Sequence, residues 1–194
     1  PFIKLDGIVG AFYTPEDGHT DPTSTTNAMA KGARNGGAKI YRKNRVTDIK
    51  LLPSGEWKVF TENGNIVCEH VVNAAGSYAR QVGHMVGTDI PITNMKHTYI
   101  VTETVQEFLD YDGEMPVMRD PYPSAYYRQE QKSALIGIYE TQNSEECWTH
   151  RGGWPEWKSE NELFNPDFDN LTPYIERVMQ RLPMWETLGI KRVV

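Results

Sequence analysis

Val71–Ala79, VVNAAGSYA, sets two β-branched residues before Asn73, then three small residues, Ala74, Ala75 and Gly76, then a helix-compatible stretch. The pattern predicts a buried strand over Val71–Ala74 that ends in a tight turn and opens a helix over Ser77–Val86. With almost no side chain in the turn, the backbone can approach a ligand closely, and the helix start behind it favours anionic groups. In dinucleotide-binding proteins such a turn is usually partnered by a GxGxxG loop. No such loop occurs in the 194 residues, so the expectation is one half of a cofactor site.

Upstream, Gly7–Tyr13 suits a short strand, and Thr14–His19 is turn chemistry. Asp21 reads as an N-cap with Pro22 at the first helical position; the helix runs to about Asn35, and Gly36-Gly37 stop it. Its apolar residues Ala28, Ala30 and Ala33 are small enough for close packing on a sheet. Ala38–Tyr41 and Arg45–Leu52 read as strands. Trp57–Thr61 and Asn65–Cys68 form a hairpin around Glu62-Asn63-Gly64.

Downstream, Pro91–Glu103 is a strand candidate with Met95, His97, Tyr99 and Val101 on one face. Met115–Arg119, Ala125–Arg128 and Ala134–Tyr139 are further strands, which predicts an antiparallel sheet for the second half. Thr141–Lys158 has three tryptophans and no periodicity, and a loop of that length is often a lid or a functional segment. Its Trp148–Trp157 part is a candidate cover for a site. Asp169–Leu182 is helical.

Composition narrows the function. Hydrophobic residues at 39% and aromatics at 11% support a packed core rather than disorder. A net charge of −6 gives no basic footprint for nucleic acid or an anionic membrane, and no apolar run is long enough to span a bilayer. Cys68 and Cys147 have no metal-type spacing and read as two thiols in a reducing compartment. His19, His70, His84 and His150 form no metal pattern, Asp110, Asp112 and Glu114 read as a solvated loop, and no GxSxG, HExxH or P-loop occurs. Residue 1 is Pro and residue 194 closes an apolar stretch, so the chain is expected to be an internal piece of a longer protein.

Three groups carry candidate chemistry. His97, mid-strand beside Lys96, can bind or polarise a substrate or transfer a proton; a structural histidine is the ordinary alternative. In Tyr126-Tyr127-Arg128, alternation turns one tyrosine to the covered side and the other away. A phenol can orient a substrate amine or carboxylate, and Arg128 can pair with a carboxylate; sheet aromatics and a surface arginine are the alternative. Val46 can offer backbone hydrogen bonds to an adenine edge, or be plain strand.

Four stretches in order now carry a resemblance: Tyr13–Pro22 with Ala30–Arg34, Val71–Gly76, Met95–Glu103, and Met118–Pro121 followed by Tyr126–Arg128. Together they resemble the FAD-dependent amine oxidoreductases of the dimethylglycine and sarcosine dehydrogenase group, within the D-amino-acid-oxidase-like superfamily. The resemblance covers nearly the whole chain. It implies oxidation of an N-methyl amine by hydride transfer to flavin, with tetrahydrofolate as a further partner through a C-terminal domain beyond this chain. His97 and Tyr126 fall on the family's active-site histidine and tyrosine. Tyr99 and Arg128 are substrate-side neighbours, and Val46, Asn73, Ala74, Ala75 and Gly76 fall on FAD contacts.

The fold implied is α/β, in the α+β sense. Residues 1–90 would be part of a three-layer FAD-binding domain lacking its GxGxxG half, and 91–194 part of a mainly antiparallel β-sheet substrate domain. The chain by itself is expected not to hold FAD firmly and to be inactive, and its exposed surfaces to favour homo-oligomers. A bacterial cytoplasm or a mitochondrial matrix is the implied location. A non-catalytic relative of the same fold, the regulatory subunit of pyruvate dehydrogenase phosphatase, supplies the alternative function.

Overall fold

The computed structural model describes residues 2–157 and 162–194. Lys158, the last residue of the expected loop, lies outside them. The chain divides into two units, each interrupted in sequence: Thr20–Asn94 with the described part of 146–160, and the described remainder.

In the first unit, helix α1 (Pro22–Asn35) starts and stops as its signals direct. The Asp21 side chain accepts from Ser24 N at 2.7 Å, Pro22 is the first helical residue, and Gly37 turns the chain at φ +92°. No residue of α1 is buried, so its small alanines are not packed on a sheet. Strands β1 (Val46–Leu51), β2 (Trp57–Thr61) and β3 (Gly64–Cys68) form an antiparallel meander in that order. The β2–β3 turn is Glu62-Asn63, closed by pairing of Thr61 with Gly64.

Val71–Ala74 departs from expectation. It joins no ladder, and Val72 is 87% exposed. Gly7–Tyr13 and Ala38–Tyr41 likewise form no strand. A branched apolar run becomes a strand only where neighbouring backbone accepts its hydrogen bonds, and among the described residues none flanks these three. Gly76–Tyr78 makes a 3₁₀ turn that leads into the short helix α2 (Ala79–His84), and Gly87 turns out of it at φ +74°.

The second unit holds the main core. Strands β4 (Thr98–Thr104), β5 (Met118–Asp120), β6 (Ala125–Glu130), β7 (Ser133–Ile138) and β8 (Ile190–Val193) form an antiparallel sheet in the order β5-β6-β7-β4-β8. A short helix, α3 (Gln106–Leu109), follows β4, and α4 (Phe168–Arg181) covers one face of the sheet. All six residues of β7 are buried, as befits the central strand. Leu171, Tyr174 and Val178 of α4 recur at helical spacing and meet Ile100, Tyr127, Ile136 and Ile138 from the sheet. Each such side chain contributes about 1.5–3 kcal/mol when fully buried.

The N-terminal segment is tied to this unit. Phe2 packs edge-on against Phe108 and Tyr111, with ring centroids 5.2 and 5.0 Å apart. Arg181 donates to the Lys4 and Asp6 carbonyls at 3.0 and 2.9 Å.

The two cysteines are not joined in a disulfide. No helix among the described residues is long and apolar enough to cross a membrane. No cluster of His, Cys, Asp and Glu among them could hold a metal.

Candidate functional site

The register of the five-stranded sheet lines up one row of residues. Arg119 pairs with Tyr126, Tyr126 with Gly137, and Gly137 with Tyr99. Strand alternation then places their next-but-one neighbours on the same face: Arg128 beyond Tyr126, Tyr139 beyond Gly137, and His97 before Tyr99. The opposite face belongs to the core, where Tyr127 is 1% exposed. Tyr126 and Tyr127 thus point opposite ways, as the alternation predicts.

Six of these residues surround a cavity of about 360 Å³: His97, Tyr99, Arg119, Tyr126, Arg128 and Tyr139 line it with His19 and Val117. Gly137 makes room for the Tyr126 ring. A Cβ at that position would lie 1.9 Å from Tyr126 Cε1, so the Tyr126 ring occupies the space that any other residue would fill. Tyr139 sits between the other two rings, 5.5 Å from Tyr126 and 5.8 Å, edge to face, from His97.

Charge in the cavity is one-sided. Two arginines and two histidines line it, and among the described residues no Asp or Glu does. Glu140 stands behind His97: Nδ1 lies 2.8 Å from Glu140 Oε2, and the other carboxylate oxygen accepts from Thr98 N at 3.2 Å. Ser144 donates to the Glu140 carbonyl. Glu140 itself is 7% exposed, while the His97 side chain is half open. Arg128 is engaged by Glu130 and donates to the Gln129 carbonyl at 3.2 Å. Burial pushes the Tyr126 phenol above its ordinary pKa; Tyr139 adds to this and Arg128 opposes it. Tyr126 therefore stays a neutral donor through the physiological range.

His97, Tyr99, Tyr126 and Arg128 are thus brought together. Val46 and Asn73–Gly76 lie in the other unit. Val46 opens β1, an outer strand of its sheet, with an irregular register just after it. Asn73 braces its turn: its amide donates to the Ala79 carbonyl at 2.9 Å, and its oxygen accepts from Ala75 N at 3.2 Å. Gly76 has φ +54° and open space where a Cβ would stand. That exposed, side-chain-poor turn fits contact with a ligand through its backbone.

The tryptophan-bearing segment packs within the first unit. Trp154 meets His84 edge to face, and Trp157 lies between Tyr78 and Arg45.

Sequence reading named no role for Arg119, Gly137, Tyr139 or Glu140. Period-two alternation from Gly137 would have found Tyr139. Nothing local marks Glu140, which meets His97 across 43 residues of chain.

The model of the family "FAD dependent oxidoreductase" matches residues 1–193. The chain is 38% identical over 197 residues to the mitochondrial dimethylglycine dehydrogenase of Rattus norvegicus, covering 100% of this chain and 23% of that protein. It is 33% identical to the mitochondrial sarcosine dehydrogenase of Mus musculus, covering 100% and 21%. It is 28% identical to the mitochondrial pyruvate dehydrogenase phosphatase regulatory subunit of Mus musculus, covering 100% and 22%. The chain therefore spans about a fifth of the length of these relatives. Among solved structures, the L-proline dehydrogenase of P. horikoshii shares the fold, with a TM-score of 0.75 at 24% identity over 100% of this chain and 47% of that one. The chain belongs to the FAD-dependent oxidoreductase family.

Proposed function

We propose that this chain supplies the amino-acid substrate site, and part of the FAD site, of a flavoprotein that oxidises an N-methyl amino acid of the dimethylglycine or sarcosine type. The cavity carries this reading: phenols, two imidazoles and guanidinium groups converge there, with no carboxylate among the described lining residues. A zwitterion with a methylated ammonium suits such a site, because aromatic faces attract the cation and the basic groups its carboxylate.

Val46 and Asn73–Gly76 would hold part of the FAD; the open backbone at Gly76 supports this. When bound, FAD supplies the acceptor for a hydride from the carbon beside the substrate nitrogen. The chain's own residues do the positioning. His97, held by Glu140, and Tyr126, held neutral by burial, orient the amine and carboxylate, and Tyr99 closes the row beyond Gly137. The wider reading includes a tetrahydrofolate-linked domain elsewhere in the full-length protein, homo-oligomerisation, and a bacterial cytoplasm or mitochondrial matrix as its location.

The test uses the FAD-loaded full-length protein under anaerobic conditions. Sarcosine or N,N-dimethylglycine should bleach the oxidised flavin band. His97→Ala and Tyr126→Phe should slow bleaching by about 10²-fold or more, the range for a positioned polar group in a site. Unchanged rates in both variants would refute the assignment. No bleaching of wild type by any N-methyl amine would favour the regulatory reading, which the likeness to the phosphatase regulatory subunit supports.

A further inference from the structure

Val71–Ala74, which leads into the turn at Gly76–Tyr78, joins no ladder among the described residues, so sheet pairing does not hold that turn in place. The tryptophan-bearing segment of the same unit does. The Asn94 side-chain amide donates to the Ser77 carbonyl at 3.2 Å and to the Gly153 carbonyl at 3.0 Å. An amide nitrogen carries two hydrogens, and both are used here. The Asn94 backbone carbonyl accepts from Cys147 N at 2.7 Å. Tyr78 Oη donates to the Glu156 carbonyl at 3.0 Å, and its ring centroid lies 5.1 Å from that of Trp157.

These ties differ in kind from those of Asn73, whose two hydrogen bonds stay within Asn73–Ala79 and shape the turn locally. The Asn94 and Tyr78 bonds span 17, 59 and 78 residues, so they fix the turn against a separate piece of chain. That piece is itself closed. Gly152 and Gly153 are left-handed, at φ +87° and +89°, and Gly153 N donates to the Trp148 carbonyl at 3.0 Å.

We propose that residues 147–157 brace the flavin-contacting turn, with Asn94 and Tyr78 as the positioning residues. The proposal rests on reading Asn73–Gly76 as part of the FAD site. A side-chain-poor turn binds through its backbone, and a loop ordered before its ligand arrives binds more tightly because less freedom is lost on binding. Gly76, at φ +54° with open space where a Cβ would stand, has wide conformational freedom of its own. Anchors at Ser77 and Tyr78, directly beyond it, remove that freedom.

The experiment titrates FAD into the full-length protein freed of flavin, following flavin fluorescence anisotropy. Asn94→Ala should raise the Kd for FAD about tenfold and Tyr78→Phe about threefold, the range for losing two hydrogen bonds and one. Amide hydrogen exchange of the flavin-free protein is the second readout. Exchange around Ser77 and Tyr78 should quicken in both variants, while that of β4 stays as in wild type and certifies the fold. Tyr78→Phe deletes a single oxygen and keeps the ring, so it carries the test if Asn94→Ala fails to fold.

Ala74→Asp tests the underlying reading separately. It sets a carboxylate on the exposed turn, where it blocks close approach and repels an anionic cofactor, so FAD binding should weaken. If it does, yet the folded Asn94 and Tyr78 variants bind FAD as wild type does, the brace is refuted and the FAD reading stands. Unchanged exchange around Ser77 in those variants refutes the brace as well. If Ala74→Asp leaves FAD affinity unchanged, the turn does not contact the flavin and both readings fall.

Discussion

His97 Nδ1 lies 2.8 Å from Oε2 of Glu140, a carboxylate that is almost wholly buried at the end of the neighbouring strand. A carboxylate only accepts, so the imidazole carries a proton on Nδ1 and turns Nε2 away from Glu140. Thr98 N, the first amide of β4, donates to the other oxygen, so the orientation of the ring is set by the backbone that begins the strand.

Glu140→Gln should loosen that control. A glutamine can present either an oxygen or an amide N–H to His97, and the preference for the Nδ1–H form weakens. Long-range proton–nitrogen correlation spectra read the tautomer directly. Wild type should show Nδ1 protonated, and the variant a mixture. An identical spectrum in the variant would mean that Glu140 does not set the tautomer.

Gly137→Ala should displace Tyr126. The backbone at Gly137 is not left-handed; the glycine is required by the ring above it, whose Cε1 would meet a new Cβ at 1.9 Å. Overpacking of this kind costs about 1–3 kcal/mol. Urea unfolding should show that loss in Gly137→Ala and a clearly smaller one when the same change is made in a Tyr126→Ala background. Equal costs in both backgrounds would separate the glycine from the ring.

Local periodicity and capping signals made part of the fold legible. Alternation along Tyr126-Tyr127 told cavity from core, the Asp21-Pro22 and Gly36-Gly37 signals bounded α1, and Asn63-Gly64 marked a hairpin. Long-range pairing decided the remainder. Val71–Ala74 has strand composition yet no strand beside it, and β8, with Lys191 and Arg192 in its middle, is a strand only because β4 accepts it. The site follows the same division. His97, Tyr99, Tyr126 and Arg128 were named from residue type and resemblance, whereas Glu140, Gly137 and Arg119 gain meaning only from register.

Arg181→Met should test what anchors the N-terminal segment. The guanidinium is 9% exposed, pairs with Asp120 at 2.8 Å and caps two carbonyls, Lys4 and Asp6. Removing it leaves a largely buried carboxylate and two carbonyls without their donor, a loss of about 3 kcal/mol. Adding Asp120→Asn should recover part of that, because the stranded charge is gone. Thermal unfolding of wild type and the two variants checks both expectations; an Arg181→Met variant as stable as wild type would show the pair to be dispensable.

Tyr127→Phe should stabilise the protein. The Tyr127 hydroxyl is buried, with no hydrogen-bond partner among the described residues, so it was stripped of water on folding without replacement. Deleting it should raise unfolding stability by about 1 kcal/mol near neutral pH. Burial also pushes the phenol's pKa well up, and Asp120 adds to that. The folded state thus holds this proton after the unfolded chain, with its ordinary value of about 10, has released it. The contribution is complete below that value and declines as pH rises above it, by at most about 1.4 kcal/mol per pH unit. Phenylalanine has no proton to lose, so the variant's advantage should widen from about pH 10 upward, and urea midpoints at neutral and alkaline pH measure it. A constant gap would mean that Tyr127 ionises in the folded protein as readily as in the unfolded chain.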